Sequence, residues 1–270
     1  MCEGRPLTHV DPLRLSPYFL VKWPFRSGYP LVGSKKHGPM EIMKGECQCA
    51  CHIHARDGGI HTGRSPTIGG NVRLVGADVD TRPVGPDDLL DLARLFESQR
   101  NTRRCWCMAF CESRSQFAVG WLNGGNRQRF EAMAAASPVP MGILASVAGE
   151  PVGWCACGPR SRYVVAIGGR SSVLRNRVRA EDESVWLLPC LFVGVGYRAQ
   201  GVTYTLVRAA VELARREGAS AIEGWPVAGS DRRSGDAFLG REKVFEDLGF
   251  SCVERPSPQR AIMRLELSGI

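Results

Sequence analysis

The sequence predicts an α/β fold, a mixed central sheet with helices on both faces. Three features predict it. From Asn71 onward, strand-like and helix-like patterns alternate along the chain. Two short apolar runs meet at Ala148-Gly149-Glu150, a tight-turn signal. The most hydrophobic run, residues 185–193, enters a glycine-bearing turn that opens a long helix.

Residues 79–84 read as the first strand. Gly85-Pro86-Asp87-Asp88 then carries helix-start chemistry, with proline in the first turn and carboxylates at the positive dipole end. Leu89, Leu92, Ala93 and Phe96 follow at i, i+3, i+4 and i+7, one apolar helical face. Residues 99–124 mix Arg, Cys and aromatics without a clear period. Residues 127–136 read as a second helix presenting Phe130, Met133 and Ala134 to the core. Residues 141–147 and 151–157 are the arms of the hairpin. Residues 163–167 extend that sheet or form a loop at its edge, and residues 170–183 read as a polar, mobile connection. Residues 185–193 form a central strand in which Pro189 must occupy a bulge or a point where the ladder opens. Residues 201–217 form a long helix with Val202, Leu206, Ala210 and Leu213 on one side. A strand at 221–225, a short helix at 241–248 ended by Gly249, and strands at 251–255 and 261–267 complete the order.

Composition narrows the class. The chain has 270 residues, of which 44% are hydrophobic and 23% charged, enough for a globular core. No apolar run is long enough for a transmembrane helix, and no basic-then-apolar leader opens the sequence. The expected location is therefore the cytoplasm, with eleven cysteines present as thiols. Residues 1–70 hold ten Gly and seven Pro, no sustained periodicity, and +4 of the +8 net charge. They read as a disordered or loosely folded extension ahead of a folded domain at 71–270. All five histidines lie at or before His61. The domain must work without a histidine base, which excludes Ser-His-Asp and Cys-His mechanisms from it. Neither a membrane nor a nucleic acid is an expected partner, because the basic charge forms no dense block.

The sharpest feature is Gly194-Val195-Gly196-Tyr197-Arg198-Ala199-Gln200-Gly201-Val202-Thr203, between a buried strand and a long helix. Backbone N–H groups and the helix dipole converge there, and Arg198 adds a full positive charge, so the site suits a phosphate or pyrophosphate. Gly194-x-Gly196-x-x-Ala199 formally matches a dinucleotide fingerprint. The helix starts too late for it, and too little chain follows for a second half.

Arg198-x-x-Gly201-x-Thr203 instead resembles the Arg/Gln-x-x-Gly-x-Gly/Ala signature of the GNAT superfamily of acyl-CoA N-acyltransferases. Three further stretches are similar to that family in the same order: Gly149-Glu150-Pro151-Val152-Gly153 in the hairpin, Ala221-Ile222-Glu223-Gly224-Trp225, and Phe245-Glu246-Asp247-Leu248-Gly249-Phe250. The resemblance spans roughly residues 76–268 and implies a mixed, mostly antiparallel sheet.

It also implies acetyl-CoA as co-substrate, no metal, and an amine acceptor on a small molecule or protein. The central strand would part from its neighbour, with Leu191, Phe192 and Val193 holding the pantetheine amides. Arg198, Ala199, Gln200, Gly201, Val202 and Thr203 would hold the pyrophosphate. Glu183 is the implied general base. Arg104, Trp106 and Cys107 are the implied acceptor pocket, with an aromatic wall and a positive rim suited to an acidic or polar substrate. Two positions depart from the family pattern. Thr203 stands where Gly or Ala is usual. Phe245 stands where many members carry a tyrosine that protonates the departing thiolate, and it has no proton to give. A CoA-binding sensor or scaffold without turnover is therefore the alternative. Cys47-x-Cys49-x-Cys51-His52-x-His54 gathers soft ligands, but its alternate-residue spacing is not that of a zinc site.

Overall fold

The computed structural model describes residues 79–168, 173–228 and 238–267. The extension at 1–70 and its Cys/His run lie outside the described residues. The described chain is a seven-stranded mixed sheet with helices on both faces. Its strands are β1 Asp80–Pro83, β2 Gly142–Val147, β3 Glu150–Pro159, β4 Val185–Val193, β5 Ala221–Gly224, β6 Ser251–Ser257 and β7 Arg260–Glu266. The order across the sheet is β1-β2-β3-β4-β5-β7-β6. Every neighbouring pair is antiparallel except β4 and β5.

The helices divide between the faces. α1 Leu89–Glu97, α2 Arg100–Cys105, α3 Arg114–Asn123, α4 Asn126–Ala136 and the single turn α5 Val164–Ile167 belong to one face, and α6 Val202–Arg216 and α7 Glu242–Asp247 to the other. α1 starts as its sequence dictates. Pro86 opens a short 3-10 turn, the Gly85 N–H donates to Asp88 Oδ2 at 3.0 Å, and Leu92, Ala93, Leu95 and Phe96 are buried. Arg82 of β1 pairs with Asp88 and Asp91, fastening the helix to the sheet edge.

Three stretches differ from the sequence expectation. Residues 99–124 form two helices, α2 and α3. α3 escapes pattern recognition because Val119 and Leu122 point to solvent while Phe117 and Gly120 are buried. Its start is set by Ser113, whose hydroxyl accepts from the Gln116 N–H. Residues 163–167 are neither strand nor loop edge. They make one helical turn, with the Val165 N–H bonded to Phe110 O, so a tertiary contact overrides β propensity. The 170–183 connection, read as mobile, is pinned over its described part: Arg177 grips Asp182 at 2.7–3.0 Å and the Ile167 and Leu174 carbonyls, and Leu174 is buried.

The two cores differ in texture. Under α6, Val202, Leu206, Val207, Ala210, Val211, Leu213 and Ala214 pack on an aliphatic sheet face. Under α1–α4 the core is aromatic: Phe96, Trp106, Phe130 and Trp154 meet with centroids 5.2–6.1 Å apart, mostly edge to face.

Candidate functional site

β4 carries the site, and Pro189 shapes it. β3 and β4 pair as Ala156↔Cys190 and then Gly158↔Leu187, so Cys157 faces both Leu188 and Pro189. This bulge resets the alternation. Leu187, Cys190 and Phe192 face the aromatic core, while Leu188 and Leu191 face α6. On its other edge β4 pairs with β5 only from Val185↔Ala221 to Leu188↔Gly224. The next residue, Pro189, has no N–H to donate, and past it no strand lies against that edge of β4 among the described residues. The strands part at the proline.

The edge so left without a strand partner, at Leu191, Phe192 and Val193, leads directly into the turn, with Phe238 stacked on Phe192 at 6.1 Å. The Gly194 N–H donates to Val152 O at 2.8 Å, and residues Val195–Tyr197 make a 3-10 turn. Arg198 Nε donates to Val193 O at 3.0 Å, and Gln200 Nε2 to Gly196 O at 2.9 Å, so two side chains brace the loop from within. Ala199 and Gly201 adopt φ of +60° and +83°. The left-handed step costs Ala199 about 1 kcal/mol, and glycine takes it freely. Gly201 is the N-cap of α6 and brings no side chain to cap it, so the first helical N–H groups lack intrahelical partners. Gly153 of β3 explains how α6 sits so close. A Cβ there would meet Val202 Cγ1 at 3.0 Å and Leu206 Cδ1 at 3.1 Å. Residues 191–193 and 198–203 are thus brought together as one continuous surface.

Phe245 closes the other side of the opening. It is fully buried, edge-on to Phe250 at 5.1 Å, and its ring lies against the last paired residue of β5. A Cβ on Gly224 would sit 2.5 Å from Phe245 Cε1. The Tyr204 hydroxyl donates to Asp247 Oδ2 at 2.7 Å, and Lys243 Nζ donates to the other oxygen of the same carboxylate at 2.8 Å. Bonding to Asp247 raises the phenol's pKa and ties it to α7.

Glu183 is not brought to this surface. It is exposed in the turn before β4 and accepts from Ser161 Oγ at 2.9 Å. Six residue steps separate it from Pro189, about 20 Å along an extended chain. The implied acceptor trio is divided. Trp106 and Cys107 have φ of 46° and 52°, and both are buried in the aromatic core while Arg104 is exposed. Arg104 and Trp106 line an outer cavity. Cys107 turns inward, where its sulfur accepts the Trp154 indole N–H at 3.2 Å. Its hydrogen bond with Cys190, and then burial, push the Cys190 thiol well above the usual range. Cys190 therefore stays protonated at neutral pH, which disfavours a covalent acyl-cysteine route.

A buried charge network joins β5 to the segment before β4. Glu223 on β5 is 4% exposed. It accepts from Arg264 Nη1 at 3.0 Å and from Arg160 Nη1 at 3.3 Å. Arg160, 1% exposed, also pairs with Glu181 and Asp182. Burial raises the Glu223 carboxyl, whereas the hydrogen bond from Arg264 lowers that of Glu181. The available signal was a lone carboxylate in an otherwise apolar strand. Beside it Trp225, 1% exposed, follows the last β4–β5 pair, and its indole N–H has no partner among the described residues. No helix among the described residues is long and apolar enough to cross a membrane.

Comparison with known proteins places this geometry. No curated protein matches the chain. Among solved structures it is similar to the PaiA N-acetyltransferase of Thermoplasma acidophilum in complex with coenzyme A (12% identity, 70% of this chain and 98% of that one, TM-score 0.41). It is also similar to an acetyltransferase of Thermus thermophilus (15%, 70% and 97%, TM-score 0.38). A third is the ribosomal-protein-S18-alanine N-acetyltransferase of Escherichia coli (15%, 71% and 96%, TM-score 0.38). The acetyltransferase (GNAT) family profile matches residues 95–250, from α1 through the parted strands and the turn to the end of α7 and Phe250, and the chain belongs to that family.

Proposed function

We propose that the protein is an N-acetyltransferase that moves an acetyl group from acetyl-CoA directly to a primary amine of a small molecule or protein, in the cytoplasm, through the domain at 71–270. One observation carries the reading: the edge of β4 freed at Pro189 runs without a break into the glycine-bearing turn that starts α6. On this reading the backbone at Leu191, Phe192 and Val193 holds pantetheine as a strand would. The N–H groups at Ala199, Gln200, Gly201, Val202 and Thr203, with the outer face of Arg198, hold the pyrophosphate. Thr203 fits, because it is only half-buried at the helix mouth.

In the transfer, the amine nitrogen adds to the thioester carbonyl, the C–S bond breaks, and the thiolate departs with CoA. The oxyanion needs a donor that costs no reorganisation. The Trp225 indole N–H, buried and without a partner beside the opening, supports that role. The thiolate takes its proton from water, since Phe245 offers none. With Glu183 exposed before β4, the acceptor amine loses its proton to solvent rather than to that carboxylate.

Calorimetric titration with acetyl-CoA and thiol release across a panel of amines test the reading. Arg198→Glu is expected to weaken acetyl-CoA binding at least about 100-fold, because an attractive charge becomes a repulsive one at a pyrophosphate. Unchanged affinity removes the turn from the site. The buried Phe245 at the tyrosine position favours a second reading, a CoA-binding sensor or scaffold. It is the outcome if acetyl-CoA binds and no amine is ever acetylated.

A further inference from the structure

The cavity bounded by Arg104 and Trp106 has about 400 Å³ of space, and its other walls are Glu97, Arg103, Leu122, Asn123, Gly124 and Arg127. None of these residues belongs to β4, β5 or the 194–203 turn, so it is a second site, built by α1, α2, the end of α3 and the start of α4. Three arginines face one carboxylate. Trp106, 2% exposed, carries the Arg127 guanidinium 5.3 Å above its ring, which holds that cation in place.

The arginines are oriented, and their donors are not used up. Arg127 gives Nε to Glu131 Oε1 at 2.7 Å and Nη1 to Glu97 Oε1 at 3.3 Å. Arg104 gives Nη1 to the Trp121 and Leu122 carbonyls at 2.9 and 3.1 Å, which secures its stem on the end of α3. Among the described residues, that leaves the Nη2 groups of both and the Nε of Arg104. The Arg103 side chain is exposed and has no hydrogen bond or ion pair among the described residues. Glu97 and Glu131 both pair with Arg127, so the surplus positive charge of the walls lies on Arg103 and Arg104, which have no carboxylate partner among the described residues. A phosphate monoester, between −1.5 and −2 at neutral pH, balances that surplus, and its oxygens suit guanidinium forks.

We propose that this cavity binds a phosphate group, as free phosphate or as the phosphate of a small organic molecule, independently of acyl-CoA. Titration of the full chain with inorganic phosphate at constant ionic strength tests it. Saturable binding is expected, with one site remaining when the 194–203 turn is filled by saturating CoA. Arg103→Ala weakens it at least about tenfold, the loss of one charge-assisted contact, and this exposed, unbonded side chain can be removed without harm to the fold. Arg103→Lys keeps it within about threefold. Arg198→Glu leaves it unchanged, which separates this site from the proposed acyl-CoA site. A sugar phosphate that binds more tightly than inorganic phosphate makes the ligand organic, and equal binding makes it the free ion. The proposal is overturned if phosphate shows no saturable binding, if Arg103→Ala binds it unchanged, or if Arg198→Glu abolishes it.

Discussion

On the face under α6, the parts that carry the site, β4, the turn and α6, form one continuous stretch of chain, whereas the opposite face is gathered from pieces far apart in sequence. β4, the turn and α6 follow one another directly, and their geometry is local: a proline that cannot donate, left-handed steps at Ala199 and Gly201, an apolar helical stripe. The aromatic face needs α1, α2, α4, β3 and the 160–182 region to meet around Trp106, Trp154 and Arg160. Each face is therefore vulnerable in its own way. Substitutions in the turn should change ligand binding with little effect on stability, and substitutions in the aromatic face should do the reverse.

The largest expected effect tests that division. Trp154→Ala removes a fully buried indole packed on Phe96 and Phe130, together with its hydrogen bond to Cys107. A loss of about 3–5 kcal/mol in chemical denaturation is expected, with acetyl-CoA affinity retained below the lowered Tm. If affinity falls with stability, the two faces are one cooperative unit and the comparison breaks. Arg198→Glu is the mirror case, with binding lost and Tm kept.

A smaller effect lies at the seam between the faces. Gly224→Ala drives a Cβ into the Phe245 ring and should cost about 1–3 kcal/mol, as overpacking does. Adding Phe245→Leu should restore part of it, because the shorter side chain vacates the contact. A double-mutant cycle with no coupling would show that Phe245 does not hold the end of β5.

The smallest concerns acid. Arg264 holds the Glu181 carboxyl below its usual value near 4.5. The folded state therefore binds that proton less readily than the unfolded chain does. Its contribution is fully present above about pH 4.5 and is lost as pH falls through the lowered folded value. Glu181→Gln should be less stable than the parent at pH 7, and the gap should close in strong acid. A gap that persists at the lowest pH would assign the loss to packing and not to charge.

Much of the first face was legible because its signals are contiguous. The run at 185–193, Pro189 as a bulge, Arg198-x-x-Gly201-x-Thr203 and the α6 stripe are each visible within a few residues, and the structure places them as expected. Far less of the second face was legible. Two exposed apolar residues hide the period of α3, and the 163–167 turn depends on the backbone of Phe110. Glu183 is near β4 in sequence, but the chain's extension carries it away from the opening, where it accepts from Ser161. Arg104, Trp106 and Cys107 are neighbours in sequence, but only Arg104 is exposed, and Trp106 and Cys107 are buried in the aromatic core.

From sequence alone follow the family, the strand and turn that lead into α6, and the lack of histidine beyond His61, because local backbone preference and residue type decide such features. Only the tertiary structure decided that β4 leaves β5 at Leu188, that Glu223 is buried between two arginines, and that three arginines surround one cavity over Trp106. Those depend on which distant side chains share a space, and no period or spacing along the chain encodes that.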